Sequence, residues 1–194
     1  MNFEDYQKKY RLEFCKFTEQ RNSNRRLWNI SDETASFIFK LVLKHKPKNI
    51  LEIGTSNGYS TFWLSLAAEE VDAAIDSIEV DESRYRMAQA NLLNRKNVNL
   101  IHGLAEDLIP QLTEKYDFIF IDAGKIGYVN YIRLLENKLN PSAIIVADNV
   151  ISHRDTVRDY LDYLQNNDLF ETETQNLGSG LEVSIYNPNS NEES

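Results

Sequence analysis

The chain has 194 residues and a formal net charge of −9, and 42% of its residues are hydrophobic. This length suits one domain with its own core, and a single cysteine excludes a disulfide-stapled scaffold. The chain has no run of about 18 apolar residues and no apolar N-terminal signal stretch, which predicts a cytoplasmic protein without a membrane partner.

Charge is unevenly distributed along the chain. Residues 1–48 carry 11 Lys and Arg against 6 Asp and Glu, whereas residues 49–194 carry 10 against 24. One interpretation is a solvated amphipathic helix ahead of an acidic domain, and the other is a basic arm that meets an anionic partner. An acidic body repels phosphate backbones, which disfavours nucleic acid as the first hypothesis.

The residue pattern over residues 1–46 predicts an N-terminal helical arm. Aromatic residues recur on one face of a helix predicted over residues 3–20, namely Phe3, Tyr6, Tyr10, Phe14 and Phe17. The polar residues 21–26 break this helix, and Ser31 is placed to cap a second helix that ends before Pro47. The aromatic stripe packs either on the chain's own sheet or against a second copy, which would form a homodimer through the first helix.

From residue 49 onward, strand and helix patterns alternate. The predicted strands are 49–53, 75–80, 98–101, 118–121, 143–147, 170–174 and 181–186. The predicted helices between them are 59–68, 82–93, 104–112, 129–139 and 155–165. Such alternation predicts parallel βαβ units, and the short link before the last strand forces an antiparallel hairpin.

We therefore predict an α/β fold, a doubly wound sheet with an antiparallel edge. It forms one domain, with the arm over residues 1–46, a Rossmann-like core over residues 47–187 and a disordered tail over residues 188–194.

A glycine loop follows the first predicted strand. In such sheets, ligands bind beyond the carboxyl ends of the strands. Gly54 lets the backbone approach a ligand closely, Gly58 permits a tight turn, and the helix start at residues 59–60 offers free N–H groups to an anion. The second strand ends in Glu79 and Asp81, and an acid at this point can accept ribose hydroxyls or cap the next helix.

Acidic side chains also follow two strands further along the chain. Asp122 ends the fourth strand, and Asp148 and Asn149 end the fifth, so the three can converge at one edge of the sheet. Carboxylate and amide oxygens suit Mg²⁺ or Ca²⁺ rather than zinc. Lys125 lies three residues after Asp122 and can act as a general base, or it is a solvated loop lysine.

Together these motifs resemble the class I S-adenosylmethionine-dependent O-methyltransferases of the catechol and caffeoyl-CoA type, small bacterial members above all. The resemblance covers residues 29–186 and rests on LEIGTSNGYS, IEVD, HGLAEDLIPQL, YDFIFIDAGKIGY and IIVADNVI. It implies the strand order 3-2-1-4-5-7-6 with an antiparallel last strand. The chain departs from the pattern at Gly124, where many bacterial members carry Asp.

The resemblance also implies site residues and cofactors. The residues implied to bind S-adenosylmethionine are Ile30, Glu52, Gly54, Ser60, Glu79, Ala105, Glu106 and Asp122. Asp122, Asp148 and Asn149 would hold a divalent metal, usually Mg²⁺. Lys125 would deprotonate the acceptor hydroxyl, with Asp122 as its catalytic partner.

The predicted function is metal-dependent O-methylation of a small vicinal-diol or hydroxy-carbonyl acceptor. Methyl transfer needs an in-line nucleophile, and a metal that binds both acceptor oxygens lowers the hydroxyl pKa and fixes its direction. The first alternative is the same chemistry on a hydroxyuridine of tRNA, which the basic arm favours and the acidic body disfavours. The second alternative is a protein that binds S-adenosylmethionine without catalysis.

Overall fold

The computed structural model describes residues 2–23 and 27–188. Its centre is a seven-stranded sheet of order β3-β2-β1-β4-β5-β7-β6. The strands are β1 Asn49–Ile53, β2 Ala74–Glu79, β3 Val98–His102, β4 Tyr116–Ile121, β5 Leu139–Asp148, β6 Phe170–Gln175 and β7 Leu181–Tyr186. The β7 strand is antiparallel to both its neighbours, β5 and β6, and the other pairings are parallel. The predicted strand order and the antiparallel last strand are confirmed.

Helices cover both faces of the sheet. They are α1 Phe3–Lys9, α2 Arg11–Asn22, α3 Asp32–His45, α4 Tyr59–Val71, α5 Glu82–Asn91, α6 Ala105–Leu108, α7 Tyr128–Leu135 and α8 Arg158–Gln165. Successive residues of β1 point to opposite faces of the sheet and pack in two separate cores. Ile50 packs in the core formed with α3 and α4, and Leu51 packs in the core formed with α7 and α8. Strands buried on both faces read as continuous apolar runs, which is why the sequence marked them clearly.

The predicted boundaries are least accurate around β5 and α8. Leu139, predicted as the end of a helix, begins β5, since α7 ends at Leu135. The α8 helix begins at Arg158 rather than at residue 155, because the preceding segment forms hydrogen-bonded turns on the carbonyl of His153. The predicted helix over residues 104–112 is the short α6 followed by a 3₁₀ turn, Ile109–Gln111.

The arm's first predicted helix is wrong as a single element, because it divides into α1 and α2 at Tyr10. Phe3 and Phe14 both stack on the buried Trp63 of α4, with ring centroids 3.9 and 4.6 Å away. Eleven residues of straight helix would separate them by about 16 Å along the axis. The break at Tyr10 therefore lets both rings reach one indole.

The aromatic stripe of the arm packs within the chain. Tyr6 and Phe17 are buried, and Phe14 also meets the ring of Phe62 edge-on. The homodimer predicted through this stripe therefore gains no support from the structure, since the chain's own α4 covers these rings. At the second predicted helix, the Oγ of Ser31 accepts the backbone N–H of Thr34, which confirms the predicted cap.

Parts of the predicted organisation lie outside the described residues. These are residues 24–26 of the polar break and residues 189–194 of the predicted disordered tail. The division into one domain with an arm, a core and a tail stays a prediction.

Candidate active site

A cavity of about 920 Å³ opens beyond the carboxyl ends of β1, β2, β4 and β5. This is where open α/β sheets bind ligands. Nine of the predicted site residues line it: Ile30, Gly54, Glu79, Ala105, Glu106, Asp122, Lys125, Asp148 and Asn149. The structure therefore brings most of the predicted residues to one cavity.

The glycine loop packs tightly against the loop after β4. Gly54 has φ of 105°, and a Cβ at this residue would lie 2.2 Å from the carbonyl oxygen of Asp122. Only glycine fits a positive φ combined with so close an approach. Gly54 thus fixes the distance between the β1 loop and the segment that carries Asp122.

Glu79 forms the cavity wall at the end of β2. Its Oε2 accepts the backbone N–H of Ser56 at 2.7 Å, and its Oε1 accepts that of Asp81 at 2.9 Å. Asp81 instead caps α5 by accepting the N–H of Arg84, and it does not line the cavity. The structure thus separates the two roles that the sequence left open, with Glu79 in the wall and Asp81 as the cap.

Ile30, Ala105 and Glu106 line the same cavity from three different segments. Ile30 lies on the stretch that leads into α3, and Ala105 and Glu106 begin α6. Ile30 and Ala105 are buried, so they offer an apolar wall next to the Glu79 carboxylate.

At the other end of the cavity, two carboxylates and a lysine come together. The Nζ of Lys125 lies 2.9 Å from Oδ1 of Asp122. Burial and the nearby charge of Asp122 raise the pKa of Asp148 to about 7, against the smaller opposing effects of the Asn149 N–H and Lys125. Asn149 turns the chain at φ of 68° directly after Asp148. The arrangement holds two acidic side chains close together in a poorly solvated place, with one lysine paired to Asp122.

The donors present at this end fit a hard divalent cation. Asp122, Asp148 and Asn149 would offer two carboxylates and one amide oxygen, with further positions left to water or substrate. Like-charged carboxylates held together by the fold are stabilised by a cation between them. Within residues 2–23 and 27–188, no three His, Cys, Asp or Glu side chains form a metal-binding group, so any site here needs the amide.

Two predicted cofactor residues, Glu52 and Ser60, are buried and lie outside the cavity wall. The Glu52 carboxylate accepts hydroxyl hydrogen bonds from Thr61 and Ser77. Burial raises the pKa of Glu52 to about 7, although nearby hydroxyls, first that of Ser60, lower it in part. These contacts support the glycine loop from behind, and cofactor binding by Glu52 and Ser60 stays a prediction.

Sequence reasoning missed several wall residues. Arg84 and Tyr131 line the cavity from α5 and α7, and Ser179 does so from the β6–β7 link. The carbonyl of Ser179 accepts the N–H groups of Ile151 and Ser152, which brings this distant loop back to the site. The glycines flanking Ser179 were the only local signal of a tight turn there, and Arg84 and Tyr131 had none.

Comparison with known proteins agrees with the geometry. The profile of a family described as O-methyltransferase matches residues 2–173. A catechol O-methyltransferase of Niastella koreensis is 35% identical over 130 residues, which cover 63% of this chain and 58% of the relative. A catechol O-methyltransferase of Mycobacterium tuberculosis is 32% identical over 126 residues, which cover 63% of this chain and 57% of the relative.

Among solved structures, the O-methyltransferase of Bacillus cereus in complex with SAH is similar with a TM-score of 0.77 and 25% identity. The match covers 88% of this chain and 89% of that one. The fold is thus that of a Rossmann-like methyltransferase, and the chain belongs to the O-methyltransferase family. This confirms the resemblance seen in the sequence. The chain spans about three fifths of the length of the curated relatives it matches.

One further expectation concerns membranes. In the part of the chain that the structure describes, no helix is both long and apolar enough to span a bilayer.

Proposed function

We propose that this protein is an S-adenosylmethionine-dependent O-methyltransferase acting on a hydroxyl of a small vicinal-diol or hydroxy-carbonyl acceptor. The observation that carries the proposal is one cavity wall that joins the Glu79 carboxylate to the ion pair of Asp122 and Lys125. Membership of the O-methyltransferase family and the SAH in the Bacillus cereus relative support the activity and the cofactor.

In this proposal the residues on the β1–β2 side of the cavity would hold the cofactor. Glu79 would accept the ribose hydroxyls, because backbone N–H groups already hold its carboxylate in place. Ala105 and Glu106 would border the adenine, Ile30 would cover the cofactor from the arm, and the Gly54 backbone would meet the methionine end.

Asp122, Asp148 and Asn149 would hold a divalent cation, with Mg²⁺ as the first choice for this oxygen donor set. When bound, the cation supplies a lower pKa and a fixed direction to the acceptor hydroxyl.

Lys125 is the proposed general base. Once its ammonium has released a proton to solvent, the amine of Lys125 would take the proton of the acceptor hydroxyl onto Nζ, and the acceptor oxygen would receive the methyl group as the carbon–sulfur bond breaks. When bound, the cofactor would supply the methyl group and leave as a thioether, so charge and atoms balance. Asp122 holds Nζ at 2.9 Å, which orients the amine toward the cavity. Holding both reactants in line supplies much of the rate.

The proposal is tested by methyl transfer from labelled S-adenosylmethionine to a panel of diols and hydroxy-carbonyl compounds, with Mg²⁺ or with EDTA. We expect Mg²⁺-dependent product with the wild type. Lys125→Ala should lower kcat by roughly 10²- to 10⁴-fold with cofactor affinity unchanged. Lys115→Ala, at an exposed lysine, should behave as wild type.

The same assay includes tRNA that carries hydroxyuridine. Two of the basic residues behind that alternative, Arg25 and Arg26, lie outside the described residues. Product on tRNA alone, with binding that weakens steeply with salt, would replace the small-molecule acceptor. Saturable cofactor binding without product on any acceptor would favour the non-catalytic alternative and contradict the proposal.

A further inference from the structure

Tyr128 is a buried residue that the proposed reaction does not use. It begins α7, and its side chain is fully buried. Its hydroxyl lies 3.3 Å from the carbonyl oxygen of Ile121 and 3.1 Å from that of Asp148. One hydroxyl thus donates toward two carbonyls that belong to neighbouring strands.

These two carbonyls lie where the β4–β5 ladder ends. Ile121 pairs with Ala147, the last pair of the β4–β5 ladder, and on its other side β5 continues to pair with β7 as far as Asp148. Asp122 and Asp148 lie just past them, and beyond this point the chains turn away, with Asn149 at a positive φ. A hydrogen bond across this gap limits how far the two strand ends can move apart.

The Tyr128 ring makes separate contacts that do not need the hydroxyl. The Nζ of Lys125 lies 5.6 Å from the ring centroid, and the ring of Tyr160 meets it edge-on at 5.6 Å. Burial, with the charges of Asp122 and Asp148, raises the pKa of Tyr128 well above its ordinary value. The phenol therefore keeps its proton and remains a donor.

We infer that Tyr128 is a positioning residue whose hydroxyl ties the ends of β4 and β5 together and so sets the spacing of the Asp122 and Asp148 carboxylates for a divalent cation. The inference rests on the proposed function, since the spacing matters only if a cation binds there. Outer partners of this kind typically change metal affinity by 10- to 100-fold when they are removed.

Tyr128→Phe tests the hydroxyl alone, because phenylalanine keeps the ring and its packing. Tyr160→Phe is the matched control: its hydroxyl is equally buried, touches the same cluster and has no hydrogen-bond partner among the described residues. Mn²⁺ is titrated into the full chain while the electron paramagnetic resonance signal of the free ion is followed. Cofactor affinity is measured by calorimetry on the same samples, which also shows that each variant is folded.

We expect the Mn²⁺ dissociation constant of Tyr128→Phe to rise by about tenfold, with that of Tyr160→Phe within about twofold of wild type. Cofactor affinity should stay unchanged in both, since Gly54 follows β1 and Glu79 ends β2, and neither residue is bonded to the Tyr128 hydroxyl. Wild-type Mn²⁺ affinity in Tyr128→Phe, or an equal loss in both variants, would overturn the inference alone. A wild-type chain that binds cofactor but no Mn²⁺ would overturn the inference together with the metal part of the proposed function.

Discussion

The acidic groups at the two ends of the cavity have different hydrogen-bond and charge partners. At the β2 end, Glu79 receives two backbone N–H groups from its own chain, at 2.7 and 2.9 Å. At the β4–β5 end, Asp148 is equally buried and accepts one backbone N–H, that of Asn149 at 2.7 Å, and burial together with the nearby charge of Asp122 raises its pKa to about 7. Backbone groups hold the carboxylate at the β2 end, whereas at the other end Lys125 pairs with Asp122 and Asp148 is a crowded acid whose ionised form a cation would stabilise.

The comparison shows which acidic groups the protein itself holds and which acidic groups a bound ligand would stabilise. A carboxylate held by backbone N–H groups is preorganised to accept hydroxyl groups of a neutral ligand. A pair of crowded carboxylates is preorganised to receive a cation. This difference supports the proposal that the cofactor's nucleoside binds at one end of the cavity and a divalent cation at the other.

The largest effect should come from a substitution at Gly54, where the loop after β1 packs against the segment that carries Asp122. In Gly54→Ala, the new Cβ meets the Asp122 carbonyl at 2.2 Å and the residue must hold φ of 105°. We expect a loss of about 3–5 kcal/mol in the free energy of unfolding and no measurable cofactor binding. Chemical denaturation and calorimetry measure the two effects.

Gly124→Ala is the matched control for this change. A Cβ there meets nothing within 4 Å, so the free energy of unfolding should change by less than about 0.5 kcal/mol. An equal loss in both variants would refute the close approach as the cause.

Glu52 offers a second test, because it is an acid that is buried behind the cavity wall and does not line the cavity. Its folded pKa of about 7 lies above the ordinary value of 4.5. Between these pH values the unfolded state is ionised while the folded state holds the proton, so wild-type stability falls as pH rises toward 7 and stays lower above it.

Glu52→Gln removes this titration. The free energy of unfolding of Glu52→Gln minus that of wild type should therefore increase by about 3 kcal/mol between pH 4.5 and pH 7.5. Urea unfolding across this range measures the difference, in which the titration of Asp148 cancels. Glu173→Gln removes the same charge at an exposed position and should leave the pH profile of wild type in place. A pH-independent difference for Glu52→Gln would contradict the raised pKa.

A smaller effect should distinguish the two ends of the cavity, because a substitution at one end should change the affinity for one ligand and leave that for the other. Glu79→Gln removes the carboxylate proposed to accept the ribose hydroxyls, so cofactor affinity should fall by about 1.5–3 kcal/mol, while Mn²⁺ affinity stays within about twofold of wild type. Asp81→Asn, which keeps the α5 cap, should leave both affinities unchanged. If Asp81→Asn weakens the cofactor as much as Glu79→Gln, the assignment of the two acids is reversed.

The smallest effect on cofactor affinity is expected at Trp28, on the rim of the cavity. The chain has two tryptophans, and Trp28 lines the cavity with 69% of its surface exposed whereas Trp63 is fully buried. The Arg84 guanidinium lies 5.4 Å from the Trp28 ring centroid. Cofactor binding should change the fluorescence of Trp28, and Trp28→Phe should lose most of that change at a cost of about 1 kcal/mol or less in affinity. A change that persists in Trp28→Phe would assign it to Trp63 instead.

Sequence alone predicted the sheet and most of the candidate residues that line the cavity, because local patterns marked them. Buried strands were continuous apolar runs, and each site acid followed one of them. The break at Tyr10 escaped prediction, since it depends on both Phe3 and Phe14 reaching Trp63. No periodicity within the arm encodes that contact.

The remaining differences at the site arise from long-range packing. Glu79 and Asp81 lie two residues apart, and only the position of the α5 cap shows which one faces the cavity. Ser179 reaches the wall through backbone bonds to a segment about 30 residues earlier in the chain. Glu52 belongs to the glycine motif, yet its side chain turns into the hydroxyl cluster behind the loop.

The central claim is that one cavity binds S-adenosylmethionine and a divalent cation at opposite ends. Calorimetric titration of S-adenosylmethionine and of Mg²⁺ into wild type, Asp148→Ala and the exposed-site control Asp155→Ala tests it most directly. We expect saturable cofactor binding in all three proteins, with Mg²⁺ binding lost only in Asp148→Ala. No cofactor binding by the wild type, with or without Mg²⁺, would contradict the methyltransferase proposal, and undiminished Mg²⁺ binding by Asp148→Ala would contradict the donor set.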